Sequence, residues 1–302
     1  MKSPIAKFIV VTLLLGMLSP AFAGPMRELL RERAAQRRAA NAGPVSVPAG
    51  VQAETNIAYG PDPAQRLDVY RPEHAANAPV IFMVHGGGWA RGDKEAGGVV
   101  TNKVAHWVPQ GYVFVSVGYR LVPEVDPLVE ADDVARALAF AQGKAAGWGA
   151  DPSRFVLMGH SAGAHLVTLL SADPGIAARQ GAKPWLGTVA LDSAAYDVVE
   201  IMQARHFPLY DKAFGNNRDL WRDASPTLRL KGAPVPMLLV CSSRRADSCA
   251  QAEGFADKAK ALGGRITVAP VDMRHGEINA QLGASGALTN QVDAFLRSIG
   301  LK

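Results

Sequence analysis

Residues 159–163, with the sequence Gly-His-Ser-Ala-Gly, match the G-x-S-x-G pattern of serine nucleophiles. A short apolar run at 155–158 precedes them, and residues 162–171 follow with the composition of a helix. In this strand–turn–helix context, the flanking glycines permit a strained turn on which the serine is exposed. The pattern therefore predicts Ser161 as a nucleophile at the positive amino end of a helix.

A second motif, His-Gly-Gly-Gly-Trp at 85–89, directly follows the apolar run 80–84. A serine hydrolase must stabilise a developing oxyanion, and backbone N–H groups do this where no side chain blocks them. We predict an oxyanion hole formed by the N–H groups of Gly87, Gly88 and Ala162. A merely flexible loop is the weaker interpretation because a second element of the same mechanism lies downstream. The Lys-Ser/Thr ending of a phosphate-binding loop is absent.

His275 is the predicted general base, because the acid and the base of such a triad follow the serine in the order Ser, Asp or Glu, His. Of the seven histidines, only His275 lies beyond Ser161 at the carboxyl end of a predicted strand. Four others lie in the motifs, a predicted helix or an irregular stretch: His85, His160, His165 and His206.

The triad acid is predicted to be Asp247, which follows the predicted strand 237–240 by a loop. A carboxylate at that place can orient the imidazole and stabilise its charged form. Asp257 falls in the middle of a predicted helix, and Asp272 is too close to His275 along the chain.

The only two cysteines, Cys241 and Cys249, flank Asp247. An even, closely spaced pair in an exported protein predicts a disulfide, which would close a loop around Asp247 or simply strengthen the fold. Two independent small apolar residues are the alternative. Two thiols with no nearby histidine make half a zinc site at best, so we predict no metal and no cofactor.

The elements that must position these residues alternate between strands and helices. Predicted strands are 57–59, 67–70, 80–84, 113–117, 155–158, 188–191, 237–240 and 266–269, and predicted helices are 128–146, 162–171, 250–262 and 288–299. This alternation predicts an α/β fold with a mostly parallel eight-stranded sheet and helices on both faces. Residues 196–230 interrupt this alternation of strands and helices, and we predict that they form a cap insertion over the carboxyl edge of the sheet.

Aromatic residues near the two motifs are candidates for lining a substrate pocket: Trp89, Phe207, Tyr210 and Trp221. The alternative is that they form the small core of the insertion itself. Arg244 and Arg245 would favour an acidic substrate if they faced the site, or would form a solvated surface pair.

The first 23 residues have the features of a secretory signal. Lys2 and Lys7 precede an apolar stretch at 8–18, and Ala-Phe-Ala at 21–23 is a small-x-small cleavage site. The apolar stretch is too short for a stable membrane span. We predict cleavage near Ala23 and a periplasmic or secreted mature protein.

The formal net charge of +5 belongs to the amino-terminal segments, since the signal carries two lysines and the linker 24–50 carries a net +3. The predicted catalytic domain, residues 51–302, is therefore neutral overall. A nucleic-acid partner would need a basic face on that domain, and the charge balance indicates none.

Taken together, the motifs resemble the α/β-hydrolase superfamily, in the branch of small esterases, arylformamidases and feruloyl-esterase-like enzymes. The segments that carry this resemblance are 85–89, 92–94, 119–124, 159–165, 224–226 and 275–279. One departure concerns the loop 242–247, which lacks the small, Gly-containing stretch usual before the acid.

The resemblance implies the α/β-hydrolase fold and a serine carboxylesterase that acts on a small-molecule ester through an acyl-enzyme. An arylformamidase or amidase could use the same triad. A non-catalytic, hydrolase-like binding protein would need a lost nucleophile, base or oxyanion loop, and all three are intact.

Overall fold

A computed structural model describes residues 47–301. The predicted signal segment, residues 24–46 of the predicted linker and Lys302 lie outside the described residues.

One mixed sheet runs through the described part of the chain, with eight strands in the order β1-β2-β4-β3-β5-β6-β7-β8. The strands are β1 (Val51–Ala58), β2 (Arg66–Pro72), β3 (Ala78–Val84), β4 (Val113–Val117), β5 (Ala150–His160), β6 (Gly187–Leu191), β7 (Met237–Ser242) and β8 (Ile266–Val271). Strand β2 is antiparallel to both β1 and β4, whereas the pairings that link β4, β3, β5, β6, β7 and β8 are parallel. The predicted mostly parallel sheet is confirmed, and each predicted strand overlaps an observed one.

The α-helices within residues 47–301 are α1 (Gly97–Trp107), α2 (Pro127–Lys144), α3 (Ala162–Ala172), α4 (Pro174–Arg179), α5 (Val198–Gln203), α6 (Pro208–Phe214), α7 (Arg218–Asp223), α8 (Pro226–Arg229), α9 (Ser248–Ala261), α10 (His275–Gln281) and α11 (Ala287–Ser298). Short 3₁₀ helices, Val108–Gln110 and Ala145–Trp148, follow α1 and α2. The four predicted helices correspond to α2, α3, α9 and α11. Helices α1, α4 and α10 were not predicted, and neither were the four helices α5 to α8 of the insertion.

Strand β3 shows why the sheet is covered on both faces. Val80, Phe82 and Val84 are buried in a cluster with α2 and α3, while Ile81 and Met83 are buried in a second cluster with α1, α10 and α11. Side chains alternate between faces along a strand, so an apolar residue at every position indicates two packed layers. The parallel arrangement brings the carboxyl ends of β3, β5, β6, β7 and β8 to one edge, where ligands bind in such sheets.

Four short helices, α5 to α8, lie between β6 and β7 in the region predicted as an insertion. Their buried residues, including Tyr210, Phe214 and Ala224, belong to the same apolar cluster as Trp89 of the main domain. The insertion is therefore packed into the main core.

Among the helices of residues 47–301, none combines the length and the apolar character needed to cross a bilayer.

Candidate active site

Ser161 lies on a sharp turn between β5 and α3, with φ 56° and ψ −118°. A positive φ is strained for a residue with a side chain and is typical of functional turns. The turn requires glycine on both sides. A Cβ on Gly159 would lie 2.3 Å from the carbonyl oxygen of Gly163, and one on Gly163 would lie 2.2 Å from that of Val84. We call residues 159–163 the nucleophile turn.

The oxyanion loop, residues 85–89, packs directly against this turn. A Cβ on Gly86 would lie 2.8 Å from the Cβ of Ser161. Gly87 and Gly88 have φ values of 138° and 62°, so the loop follows a path that favours glycine. Among the hydrogen bonds of residues 47–301, none uses the N–H of Gly87, Gly88 or Ala162. These three predicted donors are therefore free to bind an oxyanion.

His85 is a structural part of the oxyanion loop. Its Nδ1 lies 2.8 Å from the carbonyl oxygen of Gly86, and its ring stacks on Tyr119 with centroids 4.4 Å apart. The Tyr119 hydroxyl donates to the carbonyl oxygen of His85 at 2.8 Å. Burial lowers the pKa of His85, so the ring is neutral in this setting.

His275 is the first residue of α10 and is buried near the nucleophile turn. The ring of His160, the residue before Ser161, lies 4.5 Å from the ring of His275, and its Nε2 donates to the His275 carbonyl oxygen at 3.0 Å. Burial, with the neighbouring His275, lowers the pKa of His160 well below its usual value. A neutral His160 thus ties the turn to the main chain of His275.

The carboxylate partner of His275 is Asp192, whose Oδ2 lies 2.6 Å from His275 Nδ1. Asp192 directly follows β6, has φ 54° and is fully buried. The prediction of Asp247 is wrong. Its side chain is 46% exposed and its Oδ1 lies 3.6 Å from Arg245 Nη2. Asp192 follows β6, which is the neighbour of β5 in the sheet, and β5 leads to Ser161.

Four groups donate to or face the Asp192 carboxylate. Oδ1 accepts hydrogen bonds from the backbone N–H of Ser242 at 2.7 Å and from the hydroxyl of Ser248. Oδ2 accepts a hydrogen bond from Arg245 Nη1 at 3.1 Å and also contacts His275. Burial alone would raise the pKa of Asp192, but the hydrogen bond and charge of His275, the charge of Arg245 and the Ser248 hydroxyl outweigh it. The pKa of Asp192 is held well below its usual value, so the acid is ionised.

Arg245 lies at the centre of these charges, because its Nη1 is also 3.1 Å from His275 Nδ1. Burial would lower its pKa, but Asp192 and Asp247 hold the pKa above its usual range. Arg244 Nε donates to Asp272 Oδ1 at 2.7 Å. Both guanidinium groups are thus paired with carboxylates of the chain.

The predicted disulfide is confirmed, with Cys241 bonded to Cys249. The loop that it closes carries Asp247 and donates three hydrogen bonds to the Asp192 carboxylate.

The four aromatic pocket candidates are largely engaged in packing. Trp89 is buried, and its Nε1 donates to His165 Nδ1 at 3.1 Å. Tyr210 is buried 5.8 Å from the Trp89 ring, and Trp221 Nε1 donates to the carbonyl oxygens of the cap. Phe207 is partly buried at the start of α6. The structure therefore favours the alternative interpretation, in which these residues join the cap to the core.

Sequence reasoning missed Asp192, although a signal was present. Asp192 is the first residue after the predicted strand 188–191 and lies between Ser161 and His275 in the chain. It satisfies the Ser, Asp, His order as well as Asp247 does. Across residues 47–301, no group of three or more His, Cys, Asp or Glu side chains is arranged to hold a metal ion.

A family model described as BD-FAE matches residues 67–179, which include the oxyanion loop and the nucleophile turn. Among curated proteins, Esterase LipC of Mycobacterium tuberculosis is 27% identical over 225 residues, which cover 68% of this chain and 55% of the relative. The probable carboxylic ester hydrolase LipM of the same organism is 29% identical over 229 residues, or 67% of this chain and 51% of the relative. The chain therefore spans about half the length of these curated relatives.

Solved structures match over most of the chain. Esterase B from Lactobacillus rhamnosis superposes with a TM-score of 0.73 at 22% identity, covering 92% of this chain and 94% of the other. The carboxylesterase EstE1, from a metagenomic library, superposes with a TM-score of 0.68 at 24% identity, covering 90% and 96%. With the strand order, these likenesses show that the chain has the α/β-hydrolase fold.

Proposed function

We propose that the protein is an exported serine carboxylesterase with Ser161 as nucleophile, His275 as general base and Asp192 as triad acid. The observation that carries the proposal is the buried 2.6 Å contact between His275 Nδ1 and Asp192 Oδ2, next to a serine held at positive φ. The names of the relatives support the ester substrate, since LipC is an esterase and LipM a probable carboxylic ester hydrolase.

The geometry supports a two-step acyl transfer. Asp192 engages Nδ1 of His275, which leaves Nε2 to take the proton from the Ser161 hydroxyl. The serine oxygen attacks the ester carbonyl, and the N–H groups of Gly87, Gly88 and Ala162 stabilise the oxyanion. Collapse of the tetrahedral intermediate expels the alcohol, which receives the proton from His275. Water, activated by His275 in turn, attacks the acyl-enzyme and releases the carboxylic acid.

Hydrolysis of p-nitrophenyl esters, from acetate to dodecanoate, tests this proposal. We expect the mature protein to be active and the Ser161→Ala variant to lose at least about 10³-fold in kcat, because its nucleophile is absent. Ser153→Ala, at an exposed serine, is the matched control and should keep full activity. A phosphonate probe should add mass to the wild-type protein and leave Ser161→Ala unmodified.

Equal activity of wild type and Ser161→Ala would reject the serine mechanism. If the wild type hydrolyses formanilides or amides but no ester, the same triad serves an amidase instead.

Export is supported by the signal-like first 23 residues and by the Cys241–Cys249 disulfide, since disulfides persist mainly in oxidising compartments. Cell fractionation and amino-terminal sequencing should locate the mature protein outside the cytoplasm, with Gly24 as its first residue. An intact amino terminus in the cytoplasmic fraction would reject export.

A further inference from the structure

The Cys241–Cys249 disulfide closes a short loop at the edge of the sheet where the triad lies. Cys241 belongs to the end of β7, and Cys249 is the second residue of α9. We call residues 241–249 the disulfide loop. Because both of its ends are anchored in regular elements, the covalent bond restricts the path of the residues between them.

The disulfide loop supplies three of the four groups that contact the Asp192 carboxylate. The backbone N–H of Ser242 and the hydroxyl of Ser248 both donate to Oδ1, and Arg245 Nη1 donates to Oδ2. Within residues 47–301, the only other group that hydrogen-bonds to this carboxylate is His275 itself. The orientation of the acid therefore depends on the loop.

The same loop also contacts the main chain that leads to the base. The Ser242 hydroxyl donates to the carbonyl oxygen of Met273 at 2.6 Å. The backbone N–H of Ser243 donates to the carbonyl oxygen of Val271 at 3.0 Å. Arg245 Nη1 donates in addition to the main-chain oxygen of Asp192 at 3.3 Å. The loop is thus bonded both to the acid and to the segment just before His275.

We propose that the disulfide loop is the positioning element of the triad, with Ser242, Arg245 and Ser248 as positioning residues that act through Asp192. This rests on the proposed function of the Ser161, His275 and Asp192 triad. Without the disulfide, the three donors lose their shared constraint. The carboxylate then samples orientations that neither hold the His275 ring nor stabilise its charged form.

A double-mutant cycle tests the proposal. The disulfide is removed in a Cys241→Ala/Cys249→Ala variant, alanine being chosen because Cys241 is fully buried. In the wild-type background we expect kcat on a short p-nitrophenyl ester to fall about tenfold, with KM changed less than twofold. In an Asp192→Ala background, the same removal should change kcat less than twofold, because no acid remains to be positioned. All assays are made at a temperature where circular dichroism shows every variant folded.

A general loss of stability would reduce kcat by the same factor in both backgrounds, and that result would overturn the proposal. No loss of kcat in the wild-type background would also overturn it.

Two substitutions that keep the disulfide give the same test if the cysteine variant fails to fold. Ser248→Ala removes a donor to Asp192, whereas Ser153→Ala removes a hydroxyl from an exposed position outside the loop. We expect the Ser248→Ala variant to lose several-fold in kcat only when Asp192 is present, and Ser153→Ala to keep full activity. Equal activity of the two serine variants would overturn the proposal.

A proton NMR readout separates this proposal from the proposed function. The His275 Nδ1 proton, in a short hydrogen bond to Asp192, should give a low-field signal that is absent in Asp192→Ala. We expect removal of the disulfide to broaden or shift this signal, whatever substrate the enzyme uses. An unchanged signal would overturn the positioning role, while activity retained in Ser161→Ala would overturn only the esterase mechanism.

Discussion

Around Ser161 the contacts that matter are between backbone atoms, whereas three of the four groups that contact the Asp192 carboxylate are side chains. The nucleophile turn depends on the absence of Cβ atoms at Gly159 and Gly163, where other main-chain atoms approach within 2.3 Å of the place a Cβ would take. Asp192 instead depends on donors that are present, namely Ser248 and Arg245. One region is therefore disrupted by adding an atom, and the other by removing a donor or a charge.

The largest effect should come from Asp192→Asn. An asparagine can favour the wrong tautomer of His275 and cannot stabilise its charged form, so we expect kcat to fall on the order of 10⁴-fold. The matched control is Asp247→Asn, at an exposed carboxylate 3.6 Å from Arg245, which should keep kcat within about threefold of wild type. A larger loss for Asp247→Asn than for Asp192→Asn would reverse the assignment of the acid.

A smaller effect, on stability, should come from Gly163→Ala. The added Cβ would lie 2.2 Å from the carbonyl oxygen of Val84, so we expect the free energy of unfolding to fall by about 2–4 kcal/mol. Gly143→Ala in α2 is the control. No atom lies within 4 Å of its added Cβ, and the substitution should leave stability unchanged or raise it by up to about 1 kcal/mol. Urea unfolding compares the two, and equal midpoints would contradict the backbone argument.

The smallest effect should be a change in pH dependence in Arg245→Met. The pKa of Asp192 lies well below its usual value in the folded protein, so its ionised form adds stability at neutral pH that is lost as the pH falls towards this low pKa. The positive charge of Arg245, whose Nη1 lies 3.1 Å from Asp192 Oδ2, is one cause of the low pKa. Removing that charge should reduce the amount by which the free energy of unfolding at pH 7 exceeds that at about pH 3, as measured by urea unfolding at both pH values.

Arg245→Lys keeps the charge and should keep this pH dependence of stability close to that of wild type. The other titratable groups that face this pair are unchanged in both variants: Asp192, His160, Asp247 and Tyr210. A difference in the free energy of unfolding between the two pH values that is unchanged or larger in Arg245→Met would contradict the electrostatic role.

Most of the sheet, the nucleophile turn and His275 were predictable because their signals are local. Apolar runs define strands, and the nucleophile turn is defined by glycines within two residues of Ser161. Local signals could not identify the triad acid, because Asp192 and Asp247 both follow a strand and both lie between Ser161 and His275 in the sequence. The contact of His275 Nδ1 with Asp192 distinguishes them, and that contact joins residues 83 positions apart in the sequence.

Helix α1 was missed for a related reason. It begins with Gly97 and Gly98, which have low helix propensity, and it carries Lys103 on its buried face, which interrupts the apolar pattern of that face. Lys103 is tolerated there because its Nζ donates to the carbonyl oxygens of Gly98 at 2.8 Å and Asn279 at 2.6 Å. Asn279 belongs to α10, so the compensating contact lies far along the chain.

The packing of α6 into the core has a consequence for how substrates enter. To lift α6 from the oxyanion loop, Tyr210 and Phe214 would have to leave the cluster around Trp89, where both are buried. Exposing two such side chains costs roughly 3–6 kcal/mol, so an open form would account for less than about one molecule in a hundred. Substrate entry by movement of α6 is therefore disfavoured, and we expect no interfacial activation by lipid surfaces.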